Sequence, residues 1–176
     1  VSQESTRSSN EPAASDSADI TRSSSEPAAS DSAEEIQRER VLAEAREWLR
    51  TPYHAHARLK GVGVDCAQFP AAVYEAAGII PHIEPAYARQ WHLHRSEELY
   101  LAWVGKFARE IPLEDAKPAD FTVWRWGRTF SHGGILLGGG QVIHSYIGLG
   151  VMIDDIERHE ELKRRPRRVF SVWGSP

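Results

Sequence analysis

Cysteine is nearly absent from this chain: Cys66 is the only one among 176 residues. A single cysteine excludes an internal disulfide framework, so packing and hydrogen bonding must hold the fold. Long apolar runs are also missing, and no stretch approaches the length needed to cross a bilayer. There is no strong basic excess. With 21 Lys+Arg against 25 Asp+Glu the formal charge is −4 at pH 7, which argues against a nucleic-acid binder. The charge is uneven, because residues 1–36 hold eight acids and two bases and leave the remainder slightly basic. That acidic, polar N-terminus does not read as a secretory signal. What is present, 41% hydrophobic and 9% aromatic residues, suits one globular domain with a core of its own.

Two segments differ in kind. Thr6–Ala18 recurs fifteen residues later as Thr21–Ala33, in a composition of serine, alanine, proline and acid with almost nothing to bury. Residues 1–36 therefore read as a disordered acidic tail, and residues 37–176 as the domain. Ser32 and Glu35 have capping-box spacing, and Ile36, Leu42, Ala45, Trp48 and Leu49 follow at roughly helical spacing up to Thr51-Pro52. Residues 52–63 read as a loop and 65–77 as a helix stopped by Gly78. The stretch 79–95 reads as irregular, and a third helix is expected from Ser96 to about Arg109, with Tyr100, Val104 and Phe107 on one face. Beyond Pro118 the period changes. Phe121–Trp126, Ser131–Leu137, Gln141–Ser145, Val151–Ile153 and Val169–Trp173 read as strands. Helices first and an antiparallel sheet after them is an α+β order.

Three residues stand out chemically. Cys66 follows Gly61-Val62-Gly63-Val64-Asp65 and precedes an apolar helix, so its thiol is expected at a helix start, where free amides favour a thiolate. His132 opens one strand and His144 closes the next. If Gly138, Gly139 and Gly140 form a three-residue loop, Leu137 pairs with Gln141, Gly134 faces His144 and His132 faces Tyr146. Both imidazoles then leave the same face as diagonal neighbours. The helix carrying Cys66 would pack across that face. Gly133 and Gly134 would leave room there for a substrate backbone. Cys66 as nucleophile, His132 as base and then acid, and His144 as the group orienting His132 make up a cysteine-hydrolase set.

These residues resemble a known family. Asp65-Cys66-Ala67-Gln68-Phe69 is similar to the Asp-Cys-Ser-Gly-Phe motif of NlpC-type cell-wall peptidases, which are papain-like. Ser131–Gly138 resembles that family's His-Val-Gly-Ile-Tyr-Leu-Gly strand, and Gln141–His144 resembles the strand bearing its third polar residue. Thr51-Pro52-Tyr53 resembles the Pro-Tyr segment, and Pro118-Ala119-Asp120 the Pro-Gly-Asp turn. The resemblance spans about residues 41–173. It implies a papain-like α+β fold with N-terminal helices packed on a small antiparallel sheet. It also implies hydrolysis of peptidoglycan stem peptides near the γ-D-glutamyl–diamino acid bond, with no cofactor. Tyr53, Asp65 and Gln68 are then expected at the oxyanion or substrate. Two positions depart from the family: Ala67-Gln68 replaces Ser-Gly, and Gly133 replaces a usual valine. The run Tyr87–Arg95 and the compact size look most like versions in tailed phages and gene-transfer particles. That implies a virion tail-tip location, synthesis in the host cytoplasm and tail-tip proteins as partners.

Other features carry less. His54 with His56, and His92 with His94, could chelate a metal, but no cysteine or carboxylate cluster completes a site and none is expected. Lys163–Arg168 reads either as a solvated basic face or as a contact for anionic partners. Trp124 and Trp126 share a strand face and read as core. Two rival functions use the same fold: a tail-assembly subunit with little catalysis, and an acyltransferase or amidase using the same Cys-His pair.

Overall fold

The computed structural model describes residues 26–84 and 98–174, with side chains from residue 31 onward. Most of the acidic tail, the run Tyr87–Arg95 and the pair His92/His94 lie outside the described residues.

The chain begins with α1, Glu26–Glu47. It starts ahead of the expected cap at Ser32, inside the second repeat copy. Pro27 is tolerated in a first turn, and the alanines that follow favour helix. The buried stripe is Val41, Ala45 and Trp48, a spacing of four and three. Ile36 and Leu49, expected on that stripe, are exposed. Between α1 and the next helix lie two short antiparallel strands, β1 (Arg58–Leu59) and β2 (Gly63–Val64). Helix α2, Gln68–Ala76, is shorter at its start than the expected span and ends before Gly78, whose φ of 74° makes it the left-handed stop. The third helix, α3, covers only Leu99–Val104. Arg109 is no longer helical, because Arg109–Ile111 forms β3 against the last strand of the sheet.

The main sheet continues with β4 (Phe121–Trp126), β5 (Thr129–Gly138), β6 (Gln141–Tyr146), β7 (Gly150–Asp155) and β8 (Arg167–Ser171). A short helix α4, Glu160–Arg164, precedes β8. The strand order is β3-β8-β4-β5-β6-β7, and every neighbouring pair is antiparallel. The mixed helix-and-sheet architecture matches the expected α+β class.

Alternation along the strands divides the sheet into two faces. One carries Phe121, Val123, Ile135, Ile143 and Phe170, packed with Val41, Trp48, Phe69 and Val73 of α1 and α2. The other carries Trp124 and Val142, packed with Ile156 and Leu162. Trp124 is fully buried and its indole N–H donates to Leu162 O at 3.0 Å, so its polar end is satisfied.

The β5–β6 hairpin reaches the expected register by a different turn. Gly138 pairs with Gln141, leaving Gly139-Gly140 as a two-residue loop, both with positive φ. Such loops need φ above zero at both central residues, which glycine allows without strain. A loop of two would shift the strand by one residue. An irregularity between Leu136 and Gly138 shifts it back, and Gly134 faces His144 as expected.

Helix α1 is tied to the sheet through Arg38. Its guanidinium donates to Pro118 O at 2.7 Å and Asp120 Oδ1 at 3.0 Å, and stacks 3.9 Å over the Trp173 ring. Between these anchors sits Ala119, fully buried with φ 72°, where the resembling turn has glycine. A left-handed non-glycine residue costs roughly 1–2 kcal/mol, and glycine adds about 0.4–1 kcal/mol of unfolded-chain entropy. Ala119→Gly is therefore expected to raise unfolding free energy by about 0.5–1 kcal/mol, measured by urea denaturation.

Candidate active site

Asp65 prepares the turn that carries the cysteine. Its Oδ1 accepts from the amides of Ala67 and Gln68 at 3.0 and 2.9 Å, and its Oδ2 from the His56 amide at 2.8 Å. That last bond holds His56 at φ 64°. The buried carboxylate, expected at the substrate, is thus turned onto the chain's own backbone. It also corrects the reading of Cys66. The amides at the start of α2 serve Asp65 rather than the sulfur. The thiol, half-buried, is pushed up to about 12, first by burial and then by the Asp65 charge.

Helix α2 packs on the sheet face opposite the imidazoles, not across them as expected. Cys66, just ahead of α2, meets β5 along its main chain instead. Its Sγ lies 3.6 Å from Ser131 O and is also approached by the Gly133 amide, so it touches backbone on both sides of His132. Gly133 and Gly134 do not leave space for a substrate. A Cβ at Gly133 would collide with the Tyr100 hydroxyl and the Phe121 ring, and one at Gly134 with Val142. Glycine at 133 lets Tyr100 of α3 come in and donate to Cys66 O at 3.0 Å. That contact accounts for the absence of the valine usual there.

His132 and His144 share the other face. Nε2 of His132 lies 2.7 Å from Nδ1 of His144, with ring planes at 78°. His132 is boxed in by Trp124, Trp126 and Tyr146, with centroids 5.9, 5.1 and 5.7 Å away. Burial first, then the electrostatic influence of His144, His159 and Arg165, keeps its pKa well below the ordinary 6.5. His132 is therefore neutral at physiological pH.

The chain of contacts does not stop at His144. Its Nε2 lies 2.8 Å from Asp154 Oδ2 on β7. The bond from His144 holds the Asp154 carboxyl below its ordinary value, against burial, which raises it. Sequence reasoning missed Asp154. The one available signal was an acid on the strand after His144, and its register could not be read before the β6–β7 pairing was known. That pairing sets Asp154 opposite Val142, diagonal to His144 on the same face.

Of the remaining candidates, Tyr53 is half-buried and bridges to Val64 beside the cysteine turn. Gln68 is buried, and its Oε1 has no hydrogen-bond partner among the described residues. His54 packs its ring over Gly63. Lys163, Arg164, Arg165 and Arg168 each pair with a glutamate, and Arg165 stacks 3.8 Å over Trp126. Among the described residues no group of three or more His, Cys, Asp or Glu is placed to hold a metal, and no helix is long and apolar enough to cross a membrane.

The helix-plus-antiparallel-sheet frame, carrying a lone cysteine and a buried, linked pair of histidines, is the architecture of the NlpC-type fold. The chain belongs to the NlpC/P60 family, whose profile matches residues 50–165. Solved structures share the fold. The NlpC/p60 domain of the peptidoglycan hydrolase SagA is 22% identical, with 75% of this chain and 97% of that one covered and a TM-score of 0.54. NlpC2 from Trichomonas vaginalis is 18% identical over 79% of this chain, with a TM-score of 0.58, and this chain spans only 47% of its length. RipD from Mycobacterium tuberculosis, described as a non-catalytic NlpC/p60 protein adapted to peptidoglycan binding, is 14% identical, covering 78% of this chain and 98% of that one, with a TM-score of 0.51. No curated protein matches the sequence.

The buried neutral imidazole makes a pH prediction. Above 6.5 His132 is neutral in both the folded and unfolded states. Below that value the unfolded chain takes up a proton that the folded chain refuses, so stability falls with pH by up to about 1.4 kcal/mol per unit. Asp154, with a depressed folded pKa, loses its contribution only at more acidic pH. Urea unfolding between about pH 8 and pH 5 should show this slope, and His132→Asn should flatten it.

Proposed function

We propose that this chain is a cysteine peptidase that hydrolyses peptidoglycan stem peptides. The observation that carries this reading is the His132–His144 couple, 2.7 Å apart and buried, beside a lone half-buried thiol seated on the main chain flanking His132. Membership of the NlpC/P60 family supports it.

In this reading Nε2 of His132 is occupied by His144, which leaves Nδ1 for the cysteine. A raised thiol and a depressed imidazole both favour the neutral pair at rest. The proton therefore moves as the bond forms. The thiol gives up Ser131 O, passes its proton to His132, and sulfur attacks the scissile carbonyl carbon. The amide of Cys66 and the Tyr53 hydroxyl stabilise the oxyanion, and the buried Gln68 amide supports the substrate side. His132, now imidazolium, protonates the leaving amine as the C–N bond breaks. Water, deprotonated by His132, then releases the acid from the thioester and restores the thiol. Asp65 takes part by shaping the cysteine turn. Cleavage falls near the γ-D-glutamyl–diamino acid bond, the bond implied by the family resemblance.

The raised thiol also favours a second reading, a weakly catalytic subunit that binds the wall. The two separate in one assay. Release of peptide fragments from purified cell wall should be measurable with the full chain and should vanish in Cys66→Ala and His132→Ala. Undiminished release by Cys66→Ala would refute the peptidase reading. An absence of release by the wild type, with retained wall binding, would favour the second. Added amines trapping an acyl product would instead identify an acyltransferase.

For location, the proposal is a virion tail tip, with tail proteins as partners and the enzyme opening the host wall during infection. It rests on the sequence resemblance of Tyr87–Arg95 and the compact size. Purified particles should then carry the chain at the tail, detectable by immunogold labelling.

A further inference from the structure

The geometry points to Asp154 as a positioning residue that sets the direction of every hydrogen bond through the two imidazoles, so that His132 presents a bare Nδ1 to the cysteine. The use made of that nitrogen rests on the peptidase reading above. The proton arrangement itself does not.

The argument starts from what each group can do. An ionised carboxylate only accepts hydrogen bonds, and a neutral imidazole has one N–H and one lone pair. Asp154 Oδ2 lies 2.8 Å from His144 Nε2. Its carboxyl is kept ionised by that same bond. The proton of His144 is therefore on Nε2, and Nδ1 carries the lone pair. The group 2.7 Å from that lone pair is His132 Nε2, which must be an N–H. The lone pair of His132 is then on Nδ1. Without a fixed acceptor at the end of the line, the opposite polarity is equally well bonded between the rings. It would leave an N–H where the base needs a lone pair.

A second imidazole braces the carboxylate. His159 Nδ1 accepts the Leu162 amide at 3.4 Å at the start of α4, which assigns its proton to Nε2. That Nε2 lies 3.7 Å from the same Asp154 oxygen. Asp154 thus stands between two N–H groups. Tyr146, packed against both His144 and His159, sends its hydroxyl to Glu161 at 2.6 Å and so does not compete for Asp154. Arg165 lies against Glu161 and Trp126.

The test uses the full chain with isotope-labelled histidine. Nitrogen NMR of the wild type at neutral pH should show His132 and His144 both as Nε2–H tautomers. Asp154→Asn, the same size without the charge, should scramble those tautomers. It should also lower kcat on wall peptides by about 10²-fold or more with little change in KM, while the fold is retained by circular dichroism. Asp154→Glu should recover part of the activity. An Nδ1–H tautomer on either histidine in the wild type overturns the proposal. So does an Asp154→Asn variant with unchanged tautomers and unchanged kcat. If that variant does not fold, the wild-type spectrum decides. If the wild type cleaves nothing, the peptidase reading falls and the spectrum still decides the role of Asp154.

Discussion

The hydrogen bond between His132 and His144 is the contact on which the site depends, and it depends in turn on strand register. Side chains alternate along a strand, so a slip of one residue between β5 and β6 would put the two rings on opposite faces of the sheet. The register holds because two departures from regularity offset each other. The Gly139-Gly140 turn is one residue shorter than the alternative, and the irregularity near Leu137 restores the count. The β6–β7 ladder then carries the same register outward and sets Asp154 diagonal to His144. Three neighbouring strands thus supply one line of polar groups, His132 and His144 buried and Asp154 half-buried at its outer end.

The sulfur is governed by a different balance. A helix start could have stabilised a thiolate, but Asp65 takes the first amides of α2 and adds a negative charge beside the thiol. The turn gains rigidity, and the resting thiol stays protonated. Burial, the larger cause of the raised thiol, likewise depresses the His132 imidazole. Both groups are neutral at rest, so the proposed peptidase reaction runs by proton transfer concerted with attack rather than from a preformed ion pair. Tyr100 adds a second constraint by pinning Cys66 O, which only a glycine at 133 permits.

Much of this was legible in residue order. The strands Phe121–Trp126 and Gln141–Ser145, the helix after Cys66 and the Gly78 stop follow from period and turn chemistry alone, whereas the shared face of His132 and His144, expected from a three-residue turn, is reached by a two-residue turn and a compensating irregularity. Other parts were not. The stripe on α1 was misplaced toward Ile36 and Leu49, because helical spacing is satisfied by more than one set of apolar residues until the partner surface is known. Strand β3 escaped because three residues carry no period and are strands only by virtue of β8. The space imagined beside Gly133 was already filled by a side chain 33 positions earlier in the sequence, Tyr100.

Local order by itself determined most of the elements, and it set which residue types stand in the cysteine turn and on the two histidine strands. These rest on alternation, helical period and turn residues, which act between near neighbours in the chain. The tertiary structure alone decided that α2 lies behind the sheet, that Asp65 spends its carboxylate on backbone amides, and that Asp154 completes the histidine line. Each of these depends on which surfaces and strands meet across long stretches of sequence, and burial and hydrogen-bond satisfaction settle that only when the whole chain packs.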